Sequence, residues 1–166
     1  MGHTNQMPIA TKSGKINISS EKETKKIAEI FSRNIKLGDV VFLYGEVGVG
    51  KTTFIKYTIN ALQYLNKQSI TEITSPTFSI LNQYKFNEVE IDHYDLYRIK
   101  NSEDFLSLSL FEDYKNKITL IEWPELIKYS QSIKKINLYF EYSDDLSSRF
   151  LTISSEKEYK FINEFK

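Results

Sequence analysis

The sequence predicts a three-layer α/β fold whose sheet is mostly parallel and carries antiparallel additions. Three features predict it. Two runs, VVFLY at 40–44 and ITLI at 118–121, are continuously apolar and β-rich, as strands covered on both faces of a parallel sheet are. The first run passes through a glycine-rich loop into a segment of helical period from 51 to about 66. Runs near 136–142 and 150–154 add a closing antiparallel pair.

Along the chain, residues 1–14 are polar and unpatterned and are expected to form a flexible tail. Residues 15–166 are expected to form a single domain, because one core commonly serves about 100–200 residues. KINIS at 15–19 alternates as a short strand does. Ser20 with Glu23 makes a capping box, in which hydroxyl and carboxylate satisfy backbone donors at a helix start. Ile27, Ile30 and Phe31 recur at helical spacing, leaving Lys22, Lys25, Lys26 and Arg33 to solvent, and Gly38 is the predicted left-handed stop. The helix from Lys51 turns Phe54, Ile55, Tyr57, Thr58, Ala61, Leu62 and Leu65 inward. Strands are predicted over 70–74, 79–86 and 89–94, with the loop TSPTF after the first. A further helix is capped by Ser102 and carries Glu103 and Asp104 in its first turn, where the helix dipole favours them.

Composition removes whole classes of function. With 40% hydrophobic and 27% charged residues the chain can bury a core. Lys and Arg total 22 against 22 Asp and Glu, so no global basic field holds nucleic acid by counterion release. The absence of Cys excludes disulfides, thiolate metal sites and Cys nucleophiles, and suits a reducing cytoplasm, the expected location. No run approaches the roughly 20 apolar residues that cross a bilayer, and the N-terminus lacks the apolar core of a signal peptide, so no membrane partner is expected. Charge is uneven all the same. Residues 86–125 hold ten acidic and four basic side chains, a stretch suited to a solvated face, a divalent metal or a basic protein partner.

Gly45-Glu46-Val47-Gly48-Val49-Gly50-Lys51-Thr52 satisfies the phosphate-binding pattern G-x-x-x-x-G-K-[ST], after a buried strand and at the opening of a helix, as that motif demands. Glycines let consecutive N–H groups turn inward around a phosphate, and the helix adds its positive N-terminal end. Lys51 supplies a charge between the β- and γ-phosphates, and Thr52 a hydroxyl for Mg²⁺. The fold expected is therefore P-loop NTPase-like. A second, acidic metal ligand belongs at the C-terminal end of a neighbouring strand. Glu122, after ITLI, has that place in the sequence, and Asp95, in IDHYDLYR, is the competing carboxylate, suited to ordering an attacking water or bonding a metal-bound one. Lys51, Asp95 and Glu122 are the candidate catalytic residues, and Thr52 and Glu122 the candidate metal ligands. His93 with Asp95 lacks the third ligand of a zinc site and suits a structural or supporting place. The guanine-reading pattern N-K-x-D is approached only by Asn66-Lys67-Gln68-Ser69, which lacks the Asp, so ATP is favoured over GTP. Arg33, Arg98 and Arg149 are the only arginines, and none belongs to an evident catalytic finger, so slow hydrolysis in isolation is expected.

GEVGVGKTTF, SPTFSI, HYDLYR and LIEWPE, in this order, resemble the TsaE (YjeE) family, bacterial ATPases required for making the threonylcarbamoyladenosine of tRNA. The resemblance covers about 20–149. It implies that Val47, Gly48, Val49, Gly50, Lys51, Thr52 and Thr53 hold the phosphates, that Thr52 and Glu122 bind Mg²⁺, and that Glu125 approaches the nucleotide. It further implies that Asp95 is a required carboxylate, that Trp123 lies beside the site, and that Ser20 or Glu21 and the segment near Ser148 border the adenosine. The SPTF loop, with Thr77, is similar to the family's mobile element near the γ-phosphate. Implied partners are ATP and ADP and the TsaB–TsaD pair, with tRNA reached only through that complex. Two positions depart from the family pattern: Glu46 stands where an Asp is usual, and Ser109 where a glycine is expected in the helix after DLYR. Two other readings use the same loop, a small-molecule kinase and a nucleotide-dependent binding module. Three scattered arginines are poor material for a kinase lid.

Overall fold

Pairing between the two apolar runs fixes the centre of the sheet. In the computed structural model, which describes residues 11–127 and 132–165, the elements are β1 (Thr11–Lys12), β2 (Ile16–Asn17), α1 (Glu21–Ser32), β3 (Val40–Tyr44), α2 (Lys51–Leu65), β4 (Leu81–Phe86), β5 (Val89–Asp95), α3 (Ser102–Leu106), β6 (Ile118–Glu122), β7 (Lys135–Tyr142) and β8 (Arg149–Ser155). Short 3₁₀ turns occupy Tyr114–Asn116, Pro124–Leu126 and Lys160–Phe165. The strand order is β1-β8-β7-β3-β6-β5-β4, with β2 also on β8. β3 lies parallel between β6 and β7, and β5 lies parallel beside β6. β4 closes one edge antiparallel to β5, and on the other side β8 lies antiparallel to β7 and carries the two-residue β1 and β2 at the edge. The fold is thus the mixed α/β sheet expected, mostly parallel at its centre.

Alternation along β3 feeds two cores. Val41 and Leu43 point to the face covered by α1 and α2, where Ile27, Phe31, Phe54, Ile55 and Ile59 are buried with Leu120 and Leu138. Val40 and Phe42 point the other way and meet Tyr94, Leu96, Ile99, Leu110 and Ile121. The third layer is therefore irregular chain with the five-residue α3, not a long helix. Burying an apolar side chain of this size stabilises by about 1.5–3 kcal/mol, so both faces of β3 contribute to holding the loop that follows it.

Several local expectations shift. The capping box of Ser20 and Glu23 is present, but α1 stops at Ser32, ahead of Gly38. Asn34 and Ile35 both turn their N–H back to Phe31 O, which tucks Ile35 into the core, while Gly38, at φ +89, makes the turn into β3. On α2, Leu65 is 48% exposed and Ile59 is buried in its stead, because a 3.6-residue period carries the inward stripe away from Leu65. Residues 70–74 form no strand. Thr71 gives its N–H to Gln63 Oε1 and its carbonyl accepts from Asn60 Nδ2, so side chains of α2 satisfy a backbone that has no ladder. The cap of α3 is Asn101, whose Oδ1 accepts from Asp104 N at 3.0 Å, one residue ahead of Ser102. Residues 1–10 of the expected tail lie outside the described residues, whereas Thr11–Lys12 pair with β8. Ser109 adopts φ +49, so the bend a glycine would make freely is kept by a serine, beyond the end of α3.

The C-terminal segment is pinned to the base of β3. Asp39, fully buried, accepts from Lys157 Nζ at 2.9 Å and from Tyr159 Oη at 2.6 Å, and from the Lys36 N–H at 2.9 Å. Burial first, then the hydrogen bond and charge of Asp39, hold the Tyr159 hydroxyl above its ordinary pKa of 10.0. The native protein therefore keeps a proton that the unfolded chain releases above pH 10. Stability is full below that pH and is lost as pH rises toward the native value. Tyr159→Phe is expected to cost about 1.5–3 kcal/mol near neutrality, the loss of a hydrogen bond to a charge. Above about pH 10 its stability should fall less steeply than wild type by up to about 1.4 kcal/mol per pH unit, measured by urea denaturation across pH.

Candidate active site

The loop after β3 is shaped by positions that only glycine fits. Gly45 has φ +145, and a Cβ there would lie 2.7 Å from Phe140 O and 2.9 Å from Val49 Cγ1. Gly50, at φ +115, is the N-cap of α2 and brings no side-chain cap. The first amides of α2 are thus left for a ligand at the positive end of a helix of 15 residues.

Strand register brings the carboxylates to this loop. Leu43 of β3 pairs with Glu122 of β6, and Glu122 pairs in turn with Asp95 of β5, so all three strands end together. Thr52 Oγ1, one residue into α2, lies 2.9 and 3.0 Å from the two oxygens of Glu122. Glu122 Oε1 also meets His93 Nε2 at 2.8 Å. Asp95 is held by three donors: Tyr97 N on Oδ1 at 3.0 Å, and Ser75 Oγ and Thr77 Oγ1 on Oδ2 at 3.0 and 2.8 Å. Its carboxylate therefore clasps the SPTF loop against the sheet end, a contact that sequence reading did not foresee.

Lys51 curls back over its own loop. Its Nζ donates to the carbonyls of Gly45 and Glu46 and stands 4.0 Å from the centre of the Trp123 ring, which in turn packs on Tyr97 at 4.9 Å. Burial pulls the ammonium below its ordinary pKa, against the opposing pull of Glu122, Glu125, Asp95 and Glu46. Trp123 takes φ +59 in the step from β6 into the turn Pro124–Leu126. That geometry sets the indole beside Lys51.

A cavity of about 270 Å³ gathers most of the sequence-derived candidates: Val47, Gly48, Gly50, Lys51, Thr52, Thr53, Asp95 and Glu122 line it. Ser75, Thr77, Tyr97 and Trp123 complete the wall. The Val49 side chain is buried in the core, and its N–H turns to Glu46 O at 3.3 Å within the loop. Glu125 sits exposed on the turn after Trp123 and acts on Lys51 through charge alone. Ser20 and Ser148 lie outside the wall but on one flank, since Arg149 Nη2 donates to Ser19 O at 2.8 Å. Arg149 Nη1 is 4.0 Å from where a Cβ on Gly50 would be, which places a guanidinium beside the phosphate loop. Arg149 is one of the three arginines weighed for a catalytic finger, and nothing in its local sequence sets it apart. Asn66-Lys67-Gln68-Ser69 follows the far end of α2, about 20 Å from the loop at 1.5 Å per residue, and has no access to a base bound there. The acidic stretch 86–125 is not one surface: Asp92, Asp95 and Glu122 are buried, and Asp92 pairs with Lys117 at 3.1 Å. A larger cavity of about 350 Å³ opens between α1 and α2, but its wall, including Lys25, Glu29, Tyr57 and Tyr64, contains none of the phosphate-loop residues.

The donor set fits Mg²⁺. Among the described residues no three His, Asp or Glu side chains gather as a cage, and Thr52 with Glu122 offer hard oxygen ligands beside a phosphate cradle. Mg²⁺ takes one or two protein oxygens and completes its shell with phosphates and water.

Strand, glycine loop, helix and an acidic strand end next to the loop's Thr define a P-loop NTPase-like protein. Residues 18–150 match the family model described as threonylcarbamoyl adenosine biosynthesis protein TsaE, and the chain belongs to that family. It is 38% identical over 139 residues to the tRNA threonylcarbamoyladenosine biosynthesis protein TsaE of Rickettsia typhi, covering 84% of this chain and 93% of that one. The Aquifex aeolicus protein of the same name is 32% identical over 75% of this chain and 86% of its own. The crystal structure of Bacillus subtilis YdiB superposes with a TM-score of 0.70 at 25% identity, over 94% of both chains.

The two loop glycines should differ in cost. Both carry a positive-φ penalty of about 1–2 kcal/mol on replacement by alanine. Gly45→Ala adds a collision with backbone at 2.7 Å, whereas a Cβ on Gly48 meets only Tyr142 Oη at 3.5 Å. Gly45→Ala is expected to lose a further 1–3 kcal/mol, roughly the cost of overpacking, in equilibrium denaturation.

Proposed function

We propose that this protein binds ATP with Mg²⁺, hydrolyses it slowly alone, and serves as an ATP-driven accessory of the TsaB–TsaD pair in making the threonylcarbamoyladenosine of tRNA, in the cytoplasm. The observation that carries the reading is the contact of Thr52 Oγ1 with both oxygens of Glu122 inside the cavity of the phosphate loop. Phosphate oxygens would replace the carbonyls of Gly45 and Glu46 as acceptors for Lys51, and the amides at the start of α2 would meet the same negative charge. Thr52 and Glu122 would hold Mg²⁺, which would supply neutralisation of the β- and γ-phosphate charge. Asp95 keeps Ser75 and Thr77 at the cavity wall, so its removal acts on the placement of that loop as well as on water.

An open, exposed rim supports slow turnover in isolation, with Arg149 beside Gly50 the one guanidinium, among the described residues, within the protein's own reach of the loop. Val47 lines the cavity yet is 66% exposed, and Phe78, next to Thr77, is 86% exposed. Val47 and Phe78, the latter under the Arg98 guanidinium at 5.3 Å, would suit contact with a partner at that rim. A partner seated there excludes water and strengthens the electrostatics on the transition state.

Lys51→Ala should weaken ATP binding by tenfold or more in calorimetry, about 1.4 kcal/mol, and GTP should compete poorly against ATP. Glu122→Gln is expected to lose Mg²⁺-dependent binding, while Asp95→Asn keeps more affinity and loses turnover. The functional claim rests on multiple-turnover threonylcarbamoyl transfer to tRNA by TsaB–TsaD. Wild-type protein should sustain it and Lys51→Ala should not; equal turnover with either protein or with neither would remove the claim.

A further inference from the structure

Ile91, His93 and Asp95 alternate onto one face of β5. Ile91 on that face is core, and an aliphatic residue at 93 would continue the pattern. A histidine stands there instead, wholly buried, with Nε2 at 2.8 Å from Glu122 Oε1 and with no partner on Nδ1. Buried polar groups are ordinarily satisfied, so a ring with one nitrogen bonded and the other idle is retained for the bond it does make.

We propose that His93 is a positioning residue: its Nε2–H fixes the rotation of the Glu122 carboxylate and reserves Oε2 for the metal that comes with the nucleotide. This deepens the ATP–Mg²⁺ reading above and rests on it. Among the described residues the Glu122 side chain has two hydrogen-bond partners, His93 and Thr52. Thr52 has one hydroxyl proton, in reach of both oxygens at 2.9 and 3.0 Å, and so does not by itself leave one oxygen position free and the other engaged. His93 breaks that symmetry, because it reaches Oε1 only. The carboxylate accepts and does not donate, which calls for a proton on Nε2, and Nδ1, buried without an acceptor among the described residues, is the nitrogen suited to be bare. The opposite tautomer would set a lone pair against the carboxylate and bury an N–H without an acceptor. Parallel pairing of His93 with Leu120 ties the ring to the strand that carries Glu122, so imidazole and carboxylate move as one rigid unit. A protein group that orients a metal ligand in this way is commonly worth about 10–100-fold in metal affinity.

The test compares wild type, His93→Leu and His93→Gln for binding of a non-hydrolysable ATP analogue, in Mg²⁺ and in EDTA. The quantity read is the ratio of the two affinities. His93→Leu, which keeps bulk and removes the donor, should lower that ratio about 10–100-fold while the EDTA affinity stays within about twofold. His93→Gln, whose Nε2 amide offers an N–H at similar reach, should recover most of the ratio. The chain has two histidines, His3 and His93, so ¹⁵N-histidine spectra of the metal-free wild type read the tautomer directly. Nε2 protonated with Nδ1 bare supports the proposal, and the reverse tautomer overturns it. An unchanged ratio in His93→Leu, or a ratio lost in a folded His93→Gln, also overturns it. Should His93→Leu fail to fold by circular dichroism, the glutamine variant and the spectra decide. A wild type that shows no Mg²⁺-dependent binding defeats the ATP–Mg²⁺ reading instead, and the tautomer still reports on the His93–Glu122 bond.

Discussion

The parallel pairing of β3 with β6 is the constraint on which the site depends. It sets Leu43, one residue before the end of β3, opposite Glu122, and the same ladder continues to Asp95 on β5. The phosphate loop, the carboxylate next to Thr52 and the carboxylate that clasps the SPTF loop thereby occupy one end of the sheet. A slip of one residue would turn the alternate side chain to this face, with Ile121 or Trp123 in the place of Glu122. Both faces of β3 and β6 are buried, so hydrophobic burial holds the register and, through it, the chemistry.

Electrostatics in this buried end are balanced group by group. Burying an ionised side chain costs heavily unless partners are supplied. Asp95 has three donors, Glu122 has His93 and Thr52, and Lys51 has two carbonyls and the face of an indole. Asp95 and Glu122 are therefore held in place by protein contacts, whereas in the proposed complex the Lys51 ammonium would exchange its two carbonyls for phosphate oxygens. Stability anchored by Asp39, Lys157 and Tyr159 lies at the opposite end of β3, so the two tasks are separated along one strand.

Much of this was legible in the sequence, for physical reasons. Continuous apolar runs mark buried parallel strands, and Gly45 to Thr52 is a pattern whose residue types are demanded by backbone approach to phosphate. Glu122 could be placed because strand ends gather ligands. Less visible were features fixed by tertiary partners. The segment 70–74 has strand-like residues, yet Gln63 and Asn60 take its hydrogen bonds. The clasp of Asp95 by Ser75 and Thr77, and the approach of Arg149 to Gly50, join residues far apart in the chain and leave no local signal. The charge count over 86–125 misled in the same way, since composition does not tell a buried Asp92 from an exposed Glu112.

The central claim is that the register of β3 and β6 builds a metal–nucleotide site between Thr52 and Glu122. A crystal structure with Mg²⁺ and a non-hydrolysable ATP analogue tests it most directly. The account predicts a metal about 2.0–2.1 Å from Thr52 Oγ1, with Glu122 bound to it directly or through one water, and phosphates against the start of α2. A triphosphate lodged in the cavity between α1 and α2, or a metal out of reach of Glu122 even through water, would contradict it.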